Sequence, residues 1–220
     1  MSSESNPTLP LEIVETVIDI LAQDDQFDSR PTTAVFARLL STTPKISDYI
    51  RKIHCHISSE AFDNPALPGI LKQINKLESL SINWPGSLRQ WSDNPLRSAM
   101  LHLLHLPTLI YLWLQDITDF VVSDLIPCSN LKVFDFCKIE AVELENPVAS
   151  SVARRQVCLQ RFSAWGRSST TILKLCRSLG SSGKTIFDFS SISCISFFLY
   201  HPEELEATRE FLNTAKNFVK

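Results

Sequence analysis

Few residues in this chain have the types and spacing that chemistry requires, and GSSGKT at 180–185 comes nearest. A phosphate loop needs G-x-x-x-x-G-K-[ST], so that successive backbone amides and one lysine cradle phosphate oxygens. The position five before Gly183 is Ser178, and the stretch follows an apolar helical run, TTILKLCRSL, instead of a strand. It reads as a flexible turn. His54 and His56 are two apart in an extended stretch, so their rings share a face. His102 and His105 are about one helical turn apart. Each pair supplies two of the ligands a metal needs, and no further ligand stands at a recognised spacing. The six cysteines (55, 128, 137, 158, 176 and 194) include no C-x-x-C pair and read as small buried residues of a reducing compartment. G-x-S-x-G, H-E-x-x-H and a Cys/His nucleophile context are missing from the sequence. The expectation is a protein that is not an enzyme and takes no cofactor and no metal.

The elements that position these residues repeat. In LPTLIYLWLQDI at 106–117, Leu109, Leu112 and Leu114 are spaced Leu-x-x-Leu-x-Leu. The same spacing recurs at Ile50/Ile53/Cys55, Leu77/Leu80/Ile82, Leu131/Phe134/Phe136, Leu159/Phe162/Ala164 and Ile192/Ile195/Phe197. Successive starts differ by 27, 32, 22, 28 and 33 residues, in or just above the interval of leucine-rich repeats. TIFDFS at 185–190 reads either as an additional strand or as a competitor for the last register. The expected fold class is α/β: an irregular leucine-rich-repeat-like solenoid of parallel strands and short helices. LRSAMLHLLHL, ILKQINKL and TTILKLCRSL read as helices, and NWPGSLRQWSDNP at 83–95 as a long loop. PEELEATREFLNTAKNFVK opens with a proline and acids and ends in lysines, as a helix dipole favours. Leu205, Phe211, Leu212, Ala215 and Phe218 would line the side with which it caps the last repeat.

Side chains alternate along a strand, so the residues between the inward leucines should line the opposite, concave face. Its middle column is His54, Ser81, Trp113, Asp135, Ser163 and Ser196. One flanking column holds Lys52, Ser79, Tyr111, Val133, Arg161 and Cys194; the other holds His56, Asn83, Gln115, Cys137, Trp165 and Phe198. Tyr111, Trp113, Gln115, Asp135 and Trp165 are the expected partner-binding residues, because aromatics dominate interface energetics. The alternative is that a loop or the terminal helix covers the aromatics.

Composition narrows the partners. Net charge of −3 and a pI near 6.0 exclude the basic face that nucleic-acid binding needs. No stretch has about 18 apolar residues without a charge, so no membrane span is expected. The start, MSSESNPTLPLEIVE, has acids where a secretory leader needs a basic region, and the expected location is cytoplasmic and/or nuclear.

At 9–21, Leu9, Pro10, Glu12, Ile13, Val14, Val17, Ile18 and Leu21 form the pattern L-P-x-E-I-V-x-x-V-I-x-x-L, with the apolar residues in one helical stripe. This resembles the opening helix of an F-box. FARLLSTTPKISDYIRKIHCHI at 36–57, HLPTLIYLWLQDI and CSNLKVFDF are similar to the irregular repeats that follow the F-box in a large group of fungal F-box proteins. The F-box's second half has no counterpart between Leu21 and Phe36. Two parts are expected: 1–30, a disordered start plus the truncated F-box-like helix, and 31–220, the solenoid with its C-terminal helix. The resemblance implies a non-catalytic substrate-recruiting subunit of a cullin–RING ubiquitin ligase. It implies that Leu9, Pro10, Glu12, Ile13, Val17, Ile18 and Leu21 contact the Skp-type adaptor, while the concave face takes a target protein. The alternative is a stand-alone protein-interaction solenoid with no ubiquitin-ligase coupling.

Overall fold

Each of the six Leu-x-x-Leu-x-Leu spacings becomes one strand of a single parallel sheet. The computed structural model describes residues 40, 42–57, 62–84, 90–142, 156–166, 168, 171–172, 174–175, 185–200 and 202–216. The strands are β1 (Lys52–His56), β2 (Ser79–Asn83), β3 (Tyr111–Gln115), β4 (Phe120–Val121), β5 (Val133–Cys137), β6 (Ala141–Val142), β7 (Val157–Cys158), β8 (Arg161–Trp165), β9 (Phe187–Asp188) and β10 (Cys194–Phe198). The main sheet runs β1-β2-β3-β5-β8-β10. Two small parallel pairs, β4 with β6 and β7 with β9, lie apart from it. The chain is thus α/β with a six-stranded parallel sheet.

Register follows the apolar spacing without a slip. Ile53, Leu80, Leu112, Phe134, Phe162 and Ile195 are successive partners, as are Cys55, Ile82, Leu114, Phe136, Ala164 and Phe197. A one-residue slip would turn every one of these side chains to the other face, so the pattern specifies the pairing strongly. In the four inner strands both columns are buried; in β1 and β10 they are only partly so, because each edge strand has a neighbour on one side. The TIFDFS segment supplies the extra strand β9, and the last register of the main sheet belongs to β10.

The chain leaves the strands in a repeated way. The amides of Trp84, Asp116 and Lys138 donate to the last carbonyls of the next strands, at Gln115, Cys137 and Trp165. Asp116, Lys138 and Gly166, each directly after a strand, have φ of 58°, 51° and 54°. Only at Gly166 is this left-handed conformation occupied by the residue that adopts it without strain. A Cβ there would also meet Lys138 Cγ at 3.1 Å.

Short helices cover the apolar face of the sheet. α1 (Leu67–Leu71) and α2 (Arg97–Leu104) each follow an Asn-Pro pair whose asparagine Oδ1 accepts the amide two residues on. This turn starts the helix. α2 then buries Ala99, Met100, Leu103 and Leu104 against the strand columns. ILKQINKL does not form the expected helix: α1 lies earlier, with Pro68 in its first turn, where the missing amide costs nothing. The two tryptophans of the 83–95 segment belong to the core. Trp84 and Trp91 are fully buried, in a file Phe62–Trp84–Trp91–Phe120 with ring centroids 4.9, 5.0 and 5.7 Å apart.

α3 (Pro202–Lys216) packs by Phe211, as expected, but not by Leu205 or Leu212, while the Ala215 side chain and Phe218 lie outside the described residues. Phe211 is fully buried against Phe162, Phe189 and Phe197, with Ala207 and Thr208 beside it. Leu205 and Leu212 are 62% and 39% exposed. The helix turns its i, i+3, i+4, i+7 stripe through Glu204, Ala207, Thr208 and Phe211 inward, because Phe211 completes the phenylalanine cluster under β8 and β10. Nor are the cysteines uniformly buried. Cys128 is, Cys55 and Cys137 are half-buried, and Cys158 and Cys194 are exposed; these five described cysteines are free thiols, and Cys176 lies outside the described residues. No helix among the described residues is long and apolar enough to cross a membrane.

Candidate functional site: an aromatic face on the sheet

The face opposite the helices carries the residues between the apolar columns, in the columns that alternation predicts. Tyr111 pairs in register with Val133 and Arg161, Trp113 with Asp135 and Ser163, and Gln115 with Cys137 and Trp165 across β3, β5 and β8. Trp113 and Trp165 are separated by β5, about 10 Å across at ordinary strand spacing. Their ring centroids nevertheless lie 4.6 Å apart. Both indoles therefore lean over β5, which carries only Asp135 and Cys137 beneath them. Phe198 on β10 extends the row, with its ring 5.5 Å from Trp165 and more than half its surface in water.

This lean explains the state of Asp135. The residue is only 3% exposed although it faces away from the core. Its Oδ2 accepts from Arg161 Nη2 at 2.9 Å, a diagonal pairing across neighbouring strands. The Arg161 guanidinium also sits 5.9 Å from the Tyr111 ring centroid, within cation–π range. The hydrogen bond that Arg161 donates to Asp135 holds the Arg161 proton more tightly than usual. Burial first, then the Asp135 carboxylate, push the Tyr111 phenol above its ordinary value, while Arg161 pulls it down. Asp135 Oδ1 and Trp165 Nε1 are buried without a hydrogen-bond partner. Gln115, at the rim, gives its amide to Asp116 Oδ2 at 3.0 Å.

Of the expected partner-binding residues, Tyr111, Trp113, Gln115 and Trp165 are half-buried on one continuous face, and Asp135 forms its floor. Arg161 and Phe198 belong with them, and their signal was their place in the same register columns. The expected adaptor contacts Leu9, Pro10, Glu12, Ile13, Val17, Ile18 and Leu21 lie outside the described residues, as does 180–184 of the GSSGKT stretch. Thr185 is described, and its hydroxyl donates to the Phe187 carbonyl.

Three of the described histidines, His56, His102 and His105, have structural partners. His102 Nε2 meets the Ile74 carbonyl at 3.0 Å and His105 Nε2 the Asp124 carbonyl at 2.8 Å, which ties α2 to the units on either side. His54 and His56 are exposed on the edge strand β1, with His56 Nδ1 3.1 Å from Asn83 Nδ2. Among the described residues no group of three or more His, Cys, Asp or Glu could hold a metal ion. What the fold and this face define is an α/β protein with a parallel sheet that presents aromatic side chains on the side that no described helix covers. No protein-family model matches the chain, and no curated protein is significantly similar to it.

Proposed function

We propose that the chain is a non-catalytic recruiting protein of F-box-like type, an irregular leucine-rich-repeat-like solenoid that holds a target protein on its aromatic face. In this reading Leu9–Leu21 docks a Skp-type adaptor and the attached cullin–RING machinery carries out ubiquitin transfer, in the cytoplasm and/or nucleus. The observation that carries the reading is the row Tyr111, Trp113, Trp165 and Phe198, partly exposed on a face that no helix of the described residues covers. Large aromatics left partly in water on a rigid sheet are the usual anchors of protein interfaces. Support for the adaptor link comes from the resemblance of Leu9–Leu21 to the first F-box helix.

The test is a pull-down of the purified full-length chain with the adaptor. Binding by the intact chain that is lost on Ile13→Asp and weakened by Pro10→Ala is the expected result. An intact chain that fails to bind removes the ubiquitin-ligase link and leaves the stand-alone interaction solenoid. For the target side, Trp113→Ala should abolish co-purification of partners while leaving adaptor binding unchanged.

A further inference from the structure

We infer that β10 is the edge by which a second copy of this chain docks, strand against strand and antiparallel, about a two-fold axis at Ser196. The two edges of the main sheet are unlike. β1, at one end, exposes Lys52, His54 and His56. A lysine on an edge strand is a common guard against further pairing. β10, at the other end, has no such guard: no Asp, Glu, Lys or Arg stands between Asp188 and Glu203. Ile195 and Phe197 are also only half-buried there, whereas Leu112 and Leu114 in the same columns of β3 are fully buried.

The backbone of β10 has the matching groups free at that edge. From strand to strand the sheet is bonded by one rule: the carbonyls of Arg51, Glu78, Ile110, Lys132 and Gln160 each accept two amides from the start of the next strand. The Cys194 amide therefore points to β8, and alternation sends those of Ser196 and Phe198 the same way. Ile195 and Phe197 turn their amides and carbonyls outward, where no described strand receives them. Two such residues flanking a centre are complementary to themselves. In the antiparallel pair Ile195 exchanges both its bonds with Phe197 of the second copy, and Ser196 faces Ser196. Alternation then keeps Ile195 and Phe197 of both copies on the helix-covered side. Pairing of β10 with β1 would instead place Lys52 beside the uncharged edge and leave an array that does not close.

The side chains around this edge suit a neutral, apolar contact. Of the eight large apolar residues exposed among the described ones, Phe198, Leu199, Tyr200, Leu205 and Leu212 follow one another in or after β10. Together they leave roughly 500 Å² in water at ordinary side-chain sizes. Covering them in both copies removes about 1,000 Å², where stable interfaces begin. α3 rests on Phe162 of β8 and Phe197 of β10, so its symmetry mate would stand about 10 Å away, the distance of packed helices. The two-fold axis is perpendicular to the sheet, so both aromatic faces point the same way. The inference rests on the sheet edge and does not depend on the recruiting reading.

The experiment is analytical ultracentrifugation of the full-length chain over a concentration series, with cysteine cross-linking to locate the contact. A reversible monomer–dimer equilibrium is expected. Ser196→Lys places two like charges opposite each other without touching the core, and should raise the dissociation constant about tenfold or more while circular dichroism stays unchanged. Ser196→Cys, in a Cys158→Ser/Cys194→Ser background, should form a disulfide-linked dimer on mild oxidation, because facing residues of a pair without mutual bonds lie about 4.5 Å apart at Cα. Ser193→Cys in the same background is more exposed but about 20 Å from its mate, and should stay unlinked. A chain that is monomeric at every concentration, assemblies that grow without closing, a dimer indifferent to Ser196→Lys, or equal cross-linking at 193 and 196 would overturn the proposal.

Discussion

Asp124 joins three segments of the chain, and its replacement by alanine tests how the core is held. Its Oδ2 accepts the Trp91 indole N–H at 2.9 Å, both its oxygens take Arg97 Nη2, and its carbonyl accepts from His105. Asp124→Ala leaves the Arg97 cation uncompensated, with only a quarter of its side chain in water. Removing one member of a buried pair costs about 3–5 kcal/mol, and the partial exposure of Arg97 places this case at the low end. The indole N–H of the fully buried Trp91 is orphaned as well, at about 1–3 kcal/mol. The two losses come from one carboxylate and do not add, so a net destabilisation of about 3 kcal/mol is expected. Urea unfolding followed by far-ultraviolet circular dichroism and tryptophan fluorescence measures it. Adding Arg97→Met should recover about 1 kcal/mol or more, because no unpaired cation then remains. A loss below about 1 kcal/mol for Asp124→Ala, or a double variant less stable than the single one, would refute the reasoning.

Other expectations follow from the same contacts. Leu112→Ala empties a fully buried position between Leu80 and Phe134 and should cost about 3 kcal/mol, whereas Ile195→Ala on the edge strand should cost less than half of that in the same urea assay. Lys138 is in the left-handed region, so Lys138→Val should lose about 1–2 kcal/mol while Lys138→Gly remains at least as stable as the parent, by thermal unfolding. Burial, with a smaller push from Asp124, raises the Cys128 thiol to about 12, against about 8.5 in an unfolded chain. The folded state therefore keeps a proton that the unfolded state gives up. This stabilisation is complete below about pH 8.5 and is lost as pH climbs toward the folded value. Cys128→Ala should accordingly show a shallower fall in urea midpoint between pH 8 and 10.5. In native maleimide labelling Cys194 should react readily, and Cys128 only after unfolding.

The sheet was readable in the residues because its rule is local. Alternation has a period of two, each apolar triplet specifies its own inward face, and six triplets in sequence leave one register that keeps all of them dry. Hence every column of the aromatic face, from Lys52–Ser79–Tyr111 to Cys137–Trp165–Phe198, could be written down in advance. The helices were harder, since their starts depend on side-chain turns. Asn64-Pro65 and Asn94-Pro95 carried that signal at an interval of 30 residues, and it was the helix of the first, α1, that was misplaced.

Contacts between distant units obey no local rule. That Trp84 and Trp91 fill the core while Trp113 and Trp165 meet over Asp135 follows from distances across strands and loops, and an indole looks the same in sequence in either setting. The same holds for α3, where contact with the rings of Phe162, Phe189 and Phe197 selects Phe211 over Leu205 and Leu212. The unpartnered N–H groups of Asn94 Nδ2 and Arg97 Nε are further still from the sequence, because a donor lacks a partner only once every neighbour has its place. Spacing along a strand is a property of the chain, whereas burial and hydrogen-bond satisfaction are properties of packed neighbours that may stand thirty residues apart.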